Sequence, residues 1–202
     1  GTNALAEGDG SQTLITGLDP DTDYSAWVRS DCGGSFSSWS APVVFHTGYC
    51  VSTSIGSNAY FSNFATAGGV ANISNPTDLA INGYGLYVDQ IVSQAPTLSV
   101  SFATTMIGGS AGTGIWVDGN NDLDFDEPDE SLVAQTTYVP SPFDGTFTIP
   151  AGTPLGTYRM RVRNSEFGTV GPCGAGNNGE TEDYTVMVVA QEECTGLPDP
   201  GA

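Results

Sequence analysis

The sequence predicts an all-β protein of sandwich type, and three observations predict it. Short stretches rich in Val, Thr, Tyr and Phe recur between clusters of Gly, Pro, Asn and Asp, at roughly the strand-and-turn spacing of a sandwich. No stretch repeats its apolar residues with the period of a helix. Charged residues are only 13% of the chain while glycines number 27, a composition that suits turn-rich β structure better than a charge-rich disordered chain.

The elements follow in order. TLITGL at 13–18 and the β-branched PVVFHT at 42–47 flank YSAWVRS at 24–30, whose alternation puts Tyr24, Ala26 and Val28 on one face and Ser25, Trp27 and Arg29 on the other. Trp27 is thereby placed on an outer surface, available as an interface residue. LSVSFAT at 98–104 and GTFTI at 145–149 alternate apolar and small polar residues. TGIWVD at 113–118 and SLVAQTT at 131–137 bracket an acidic run, whereas GTYRMRVR at 156–163 and EDYTVMVVA at 182–190 carry charge within a strand pattern.

Charge excludes whole classes of function. The chain has 23 Asp and Glu against four Arg (Arg29, Arg159, Arg161, Arg163) and no Lys, a net charge of −19. Binding to nucleic acid rests on clustered cations that release counterions, so that class drops out, and attraction to an anionic membrane goes with it. No apolar run is long enough to span a bilayer. His46 is the sole histidine, which removes metalloprotease chemistry of the HExxH type. Gly108–Gly112 fits the G-x-S-x-G pattern around Ser110, but no helix follows and no base accompanies it. Gly174–Gly179 fits G-x-G-x-x-G, yet a strand pattern comes next where a dinucleotide site needs a helix. No catalytic residue is assigned, and the protein is expected not to be an enzyme.

The acidic run is the candidate site. Asp118, Asn120, Asp122 and Asp124 stand at every second position and Glu130 follows, the alternation by which a turning loop wraps oxygen ligands around a hard cation such as Ca²⁺. Asp118, Asn120, Asp122 and Glu130 are expected to ligate through their side chains, and Asp124 through its carbonyl or carboxylate. The bland alternative is a solvated acidic loop. Arg159, Arg161 and Arg163 alternate along one strand and share a face; Glu180 and Glu182 share a face of theirs. Where the two strands are neighbours, as the family resemblance named below implies, a ladder of structural ion pairs between the two sets is expected, with an anion-binding strip for an acidic polysaccharide as its rival. Glu182 or Asp183 is also placed within reach of the acidic loop. Tyr60, Tyr84, Tyr87, Trp27 and Trp39 are candidates for stacking on sugars, and Asn72-Ile73-Ser74 fits an N-glycosylation acceptor.

Two resemblances organise the chain. TLITGLDPDTDYSAWVRSDC with WSAPVVFHT, in residues 1–47, resembles the second half of a fibronectin type III domain, Tyr24 standing where that family caps a strand with a tyrosine hydroxyl. Residues 48–190 resemble the GEVED domain, through GETEDY at Gly179–Tyr184, Tyr49-Cys50, Ile115-Trp116-Val117-Asp118, Phe147-Thr148-Ile149-Pro150, Arg159–Arg163 and Pro172-Cys173. Residues 191–202 look like the opening strand of a further fibronectin-like module.

What these resemblances imply is a β-sandwich or jelly-roll-like central domain beside a partial immunoglobulin-like sandwich, in a secreted or cell-surface bacterial protein without catalytic activity of its own. They imply that Cys50 pairs with Cys173, and that Cys32 pairs with Cys194 within a module or between neighbouring chains. Leu123 departs from the family, which carries Gly there for a sharp turn. The expected function is a calcium-stabilised structural or adhesive module, a subunit or repeat of a head-to-tail filament or adhesin whose partners are its own copies or neighbouring repeats. The alternative is a carbohydrate-binding accessory module of a secreted polysaccharide-degrading enzyme or protease, with an extracellular polysaccharide as partner.

Overall fold

The computed structural model describes residues 15, 18, 22–50, 52–55, 58–110 and 112–191. Contacts divide the chain into two compact units, Gly1–Val51 and Ser52–Ala202. Among the described residues almost all regular structure is strand, with one short 3₁₀ turn at Ile81–Gly83. The expectation of an all-β sandwich holds. Most of the expected strand at 13–18 and the tail from residue 192 onward lie outside the described residues.

In the first unit β1 (Thr22–Ala26) pairs antiparallel with β2 (Val43–Thr47), which sets Tyr24 opposite Phe45 with ring centroids 5.9 Å apart. The ribbon continues past its strands through Ser40 N donating to Val28 O and Ser37 N donating to Ser30 O. Trp27 is 51% exposed, as the alternation requires, but Val28 is 72% exposed instead of inward-facing. Regular pairing ends at Ala26, so alternation no longer decides where Val28 points.

Among the described residues the second unit has thirteen strands: β3 (Ser52–Ile55), β4 (Tyr60–Ala67), β5 (Ser74–Pro76), β6 (Tyr84–Gln94), β7 (Ser99–Ile107), β8 (Gly109–Ser110), β9 (Gly112–Val117), β10 (Ser131–Gln135), β11 (Val139–Pro140), β12 (Phe143–Thr148), β13 (Gly156–Ser165), β14 (Gly174–Asn177) and β15 (Gly179–Val188). A five-stranded sheet in the order β10-β9-β13-β15-β6 and a four-stranded sheet in the order β12-β7-β4-β5 are the principal layers. Small pairs β8–β11 and β3–β14 supplement them.

The core lies between the two sheets. Phe61, Phe64, Val100, Phe102, Met106 and Phe147 come from the four-stranded side; Ile115, Val117, Met160, Val162, Tyr184 and Val186 come from the five-stranded side. Each such side chain contributes about 1.5–3 kcal/mol on burial. In β7 the buried residues alternate without exception, as an inner face demands. Phe61 and Phe64 are three apart, so strict alternation would send them to opposite faces. The register shift between Phe61 and Asn63 against β7 is a bulge that turns both inward.

The other face of the five-stranded sheet is also covered. All six residues of β9 are buried. Trp116 lies over Gly114, where a Cβ would come within 2.0 Å of the indole. Parity then decides the position of each charge. Arg161 stands opposite both Trp116 and Asp183, on this outer face, while Val162 stands opposite Ile115 and Glu182 on the core side.

Candidate metal centre and the arginine-bearing strand

The acidic loop runs from Asp118 to Glu130, between β9 and β10, and its two ends are fixed to the sheet. Val117 N donates to Glu130 O at 2.9 Å and Asp118 N donates to Arg159 O at 3.0 Å. Within the loop, carboxylates accept from backbone N–H groups. Asp122 N and Leu123 N donate to the two oxygens of Asp118 (3.3 and 3.2 Å), Asp126 N donates to Asp124 Oδ1 (2.9 Å), and Gly119 N donates to Glu130 Oε1 (2.9 Å). These short-range bonds wind the chain inward. Leu123 sits at φ 76°, the left-handed conformation a Gly would take freely. The turn is thus made despite the substitution, at about 1–2 kcal/mol of steric cost.

Winding brings the acids together. Asp118, Asp122 and Glu130 each present a carboxylate oxygen within 4.8 Å of the others, and Asp122, Asp124 and Glu127 form a second such group sharing Asp122. At that separation two like charges repel by about 3 kcal/mol in a medium of effective dielectric about 20. Glu130 is 3% exposed, and its Oε2 is buried without a hydrogen-bond partner. Burial, the neighbouring Glu127 and the charge of Asp118 push its pKa up to about 8 against the pull of the Gly119 N–H. An oxygen-rich, net-negative cage of this kind suits a hard divalent cation, which would supply the missing partner for Glu130 and the missing counter-charge for the group.

Four of the five expected ligand residues, Asp118, Asp122, Asp124 and Glu130, are gathered in these two groups. Asn120 is exposed and turned onto Asp122, donating Nδ2 to Oδ2 at 2.8 Å and accepting from Asp122 N at 2.9 Å. Glu127 was not expected. The every-second-position rule passes over it, and only its closeness in sequence to Glu130 hints at it.

The expected ion-pair ladder is corrected. Glu180 and Glu182 lie on the core face of β15, opposite Asn164 and Val162, and the arginines lie on the other face. Asp183 takes the guanidinium groups instead. Arg161 binds it through Nε and Nη2, both at 2.8 Å, and Arg159 Nη1 approaches at 3.1 Å. Tyr84 donates its hydroxyl to the same carboxylate at 2.8 Å, and its pKa is pushed up to about 12 by burial and by Asp183. Burial by itself lowers the Arg161 pKa, but Asp183 outweighs it and holds the guanidinium above its ordinary value. Nor does either acid serve the loop. Asp183 is held by arginine, and Glu182 faces the core.

Four successive carbonyls turn toward the strand. Pro172 O accepts from Arg161; Gly171 O, Cys173 O and Gly174 O accept from Arg163, all between 2.7 and 3.0 Å. Burial and the nearby Arg161 lower the Arg163 pKa. With its donors spent on Asp183 and on backbone carbonyls, this strand is occupied as a structural hub and is a poor strip for an external anion. Glu180 receives Phe61 N and Ala80 N (2.8 and 2.6 Å), while Glu182 receives the hydroxyls of Thr77 and Tyr184 (2.9 and 2.6 Å). Burial raises both pKa values, Glu182 to about 7.

The remaining motifs resolve plainly. Ser110 is fully buried, its hydroxyl within 2.6 Å of Gly112 O and 3.1 Å of Ser165 O. The glycine-rich run at Gly174–Asn177 is itself a strand, leading into β15. Cys50 and Cys173 are both disulfide-bonded, Cys32 is an exposed free thiol, and Cys194 lies outside the described residues. Among the candidate aromatics, Trp39 is exposed, but one ring face is occupied by the Arg29 guanidinium at 4.5 Å. No helix among the described residues is long and apolar enough to cross a membrane.

No curated protein matches this chain. Residues 112–187, which hold β9, the whole acidic loop, the arginine-bearing strand and the GETEDY strand, match the model of the GEVED domain family.

Proposed function

We propose that this protein is a non-catalytic extracellular module stabilised by calcium at the loop 118–130, working as a structural or adhesive unit. One observation carries the cation: the buried, unpartnered oxygen of Glu130, grouped with Asp118 and Asp122. Disulfide-bonded Cys50 and Cys173 support an oxidising compartment. Non-catalytic work is favoured by how the reactive-looking groups are spent. Ser110 is tied to backbone carbonyls, and Glu180, Glu182 and Asp183 are each bound to donors of the fold.

Assembly from copies of the chain is the second half of the reading. Among its described residues the first unit has one two-stranded ribbon, with Trp27, Val28, Val43 and Val44 exposed beside it. A pair of strands is marginal alone, and strand addition by a neighbouring copy supplies main-chain hydrogen bonds and covers apolar surface. Such head-to-tail contacts propagate into filaments. The free Cys32 thiol gives this contact a covalent handle.

Titration of metal-stripped protein with calcium chloride in a calorimeter tests the first half, with one or two ions bound per chain as the expected result. Electron microscopy of calcium-loaded, unreduced protein tests the second. Filaments with one chain per repeat are expected, and single compact particles at high concentration discard the assembly.

A further inference from the structure

Phe125 stands in the middle of the acidic loop and is nevertheless 3% exposed, between Asp124 and Asp126, which are half-buried and exposed. It covers the guanidinium of Arg161, whose Cζ lies 5.0 Å from the ring centroid. Arg161 is itself buried, held by Asp183 on its own face, with Trp116 directly across in the β9–β13 register. The only aromatic side chain of the loop is thus spent on the charged layer beneath it.

We propose that Phe125 is the latch by which the cation orders this face of the domain, an inference that rests on the reading of loop 118–130 as a cation site. The ends of the loop are pinned to β9 and β13 through the bonds of Val117 N and Asp118 N, so opening moves the segment between them. In the closed loop three carboxylates stand within 4.8 Å. The cation offsets their repulsion, the loop closes, and the ring seats on Arg161. Without the cation the carboxylates separate, the ring leaves, and Arg161 loses its cover, which opens to water the layer where Trp116 stands across from it. Phe125 is therefore a positioning residue for the metal, its packing on Arg161 preorganising the loop that carries the ligands.

The test uses the full chain with Trp27→Phe and Trp39→Phe, which leaves Trp116 as the single indole. Calcium added to the stripped parent is expected to shift Trp116 emission to shorter wavelength. In Phe125→Ala calcium binds about tenfold more weakly, the scale of one cation–π contact plus lost packing, and the emission shift disappears. Its melting temperature is expected to equal the parent's in chelator and to fall below it in calcium, while Phe125→Tyr restores both affinity and shift. Calcium binding to Phe125→Ala as tight as to the parent overturns the latch, as does an equal loss of melting temperature with and without the metal. Absence of calcium binding in the parent itself is a different result, and it removes the cation site together with the latch.

Discussion

Carboxylates crowd two regions of the central unit, and the two regions meet their charge in opposite ways. On β15 Glu180, Glu182 and Asp183 are all buried, yet the oxygens of each are answered by donors the fold provides: backbone N–H groups, two hydroxyls, a tyrosine and two guanidiniums. In the loop 118–130 the acids answer mostly to one another and to local N–H groups, and one buried oxygen of Glu130 has no partner. The lesson concerns donors, not numbers of acids. A buried carboxylate is structural where the chain brings a donor to each oxygen, and it is a candidate cation ligand where the chain brings other carboxylates.

The strongest way to break this comparison is to remove the donor–acceptor match on β15. Asp183→Ala leaves Arg161, 1% exposed, without its two hydrogen bonds to the carboxylate. Stranding a buried charge in this way costs about 3–5 kcal/mol. Denaturant unfolding in saturating calcium is expected to show that loss. A change under 1 kcal/mol means that the pair is solvated and the contrast with the loop is false.

Removing the proposed cation comes next. Chelation is expected to lower stability by the mass-action term, about 3 kcal/mol when calcium had stood at one hundred times its dissociation constant. For a domain of this size that is a fall of several degrees in melting temperature. Glu130→Gln is expected to abolish the response to chelator, and the stripped variant should be more stable than the stripped parent, since the amide relieves both the burial of charge and the repulsion. A calorimetric scan of the two proteins, with and without chelator, gives all four values.

A third test uses pH, in saturating calcium so that the loop does not contribute. The pKa of Glu182 is raised from its ordinary value near 4.5 to about 7, chiefly by burial, and Glu180 moves in the same direction. The folded state holds the proton more tightly than the unfolded chain. The stabilisation is complete below about pH 4.5 and is lost as pH rises through about 7, a decline on the order of 3 kcal/mol. In Glu182→Gln the decline should shrink to the part owed to Glu180. A parent whose stability rises across that interval contradicts the burial argument.

How far these features were legible in the sequence differs between the same two regions. The strands whose alternation is clean, β7, β12 and β13, were readable because one face is apolar. β4 and β6 were not, since a bulge resets the phase of Phe61 and Phe64 and an edge strand carries Gly85 and Asp89 among its apolar residues. The acidic loop was visible from spacing, because ligands on a turning chain are close in sequence. The partners on β15 were misassigned for the opposite reason. Which of Glu182 and Asp183 faces the arginines depends on a one-residue register against β13, and nothing local to GETEDY fixes it. The burial of these acids had no local signal either, for the donors that satisfy them come from β4, the segment 77–80 and β6, distant in sequence.

The smallest effect concerns the one position where the loop departs from the family it resembles. Leu123 is held at φ 76° and is 46% exposed, so it bears the steric cost of the left-handed conformation and recovers little by burial. Leu123→Gly removes about 1–2 kcal/mol of that cost and adds about 0.4–1 kcal/mol of unfolded-state entropy. A net gain of about 0.5 kcal/mol remains, a rise of one or two degrees in melting temperature with calcium present. Leu123→Ala keeps the Cβ and with it the strain, so it is expected to gain nothing. If both variants lose stability equally, the leucine side chain is holding the loop through contacts of its own, and the strained turn is a consequence of that packing and not a cost borne for the acids around it.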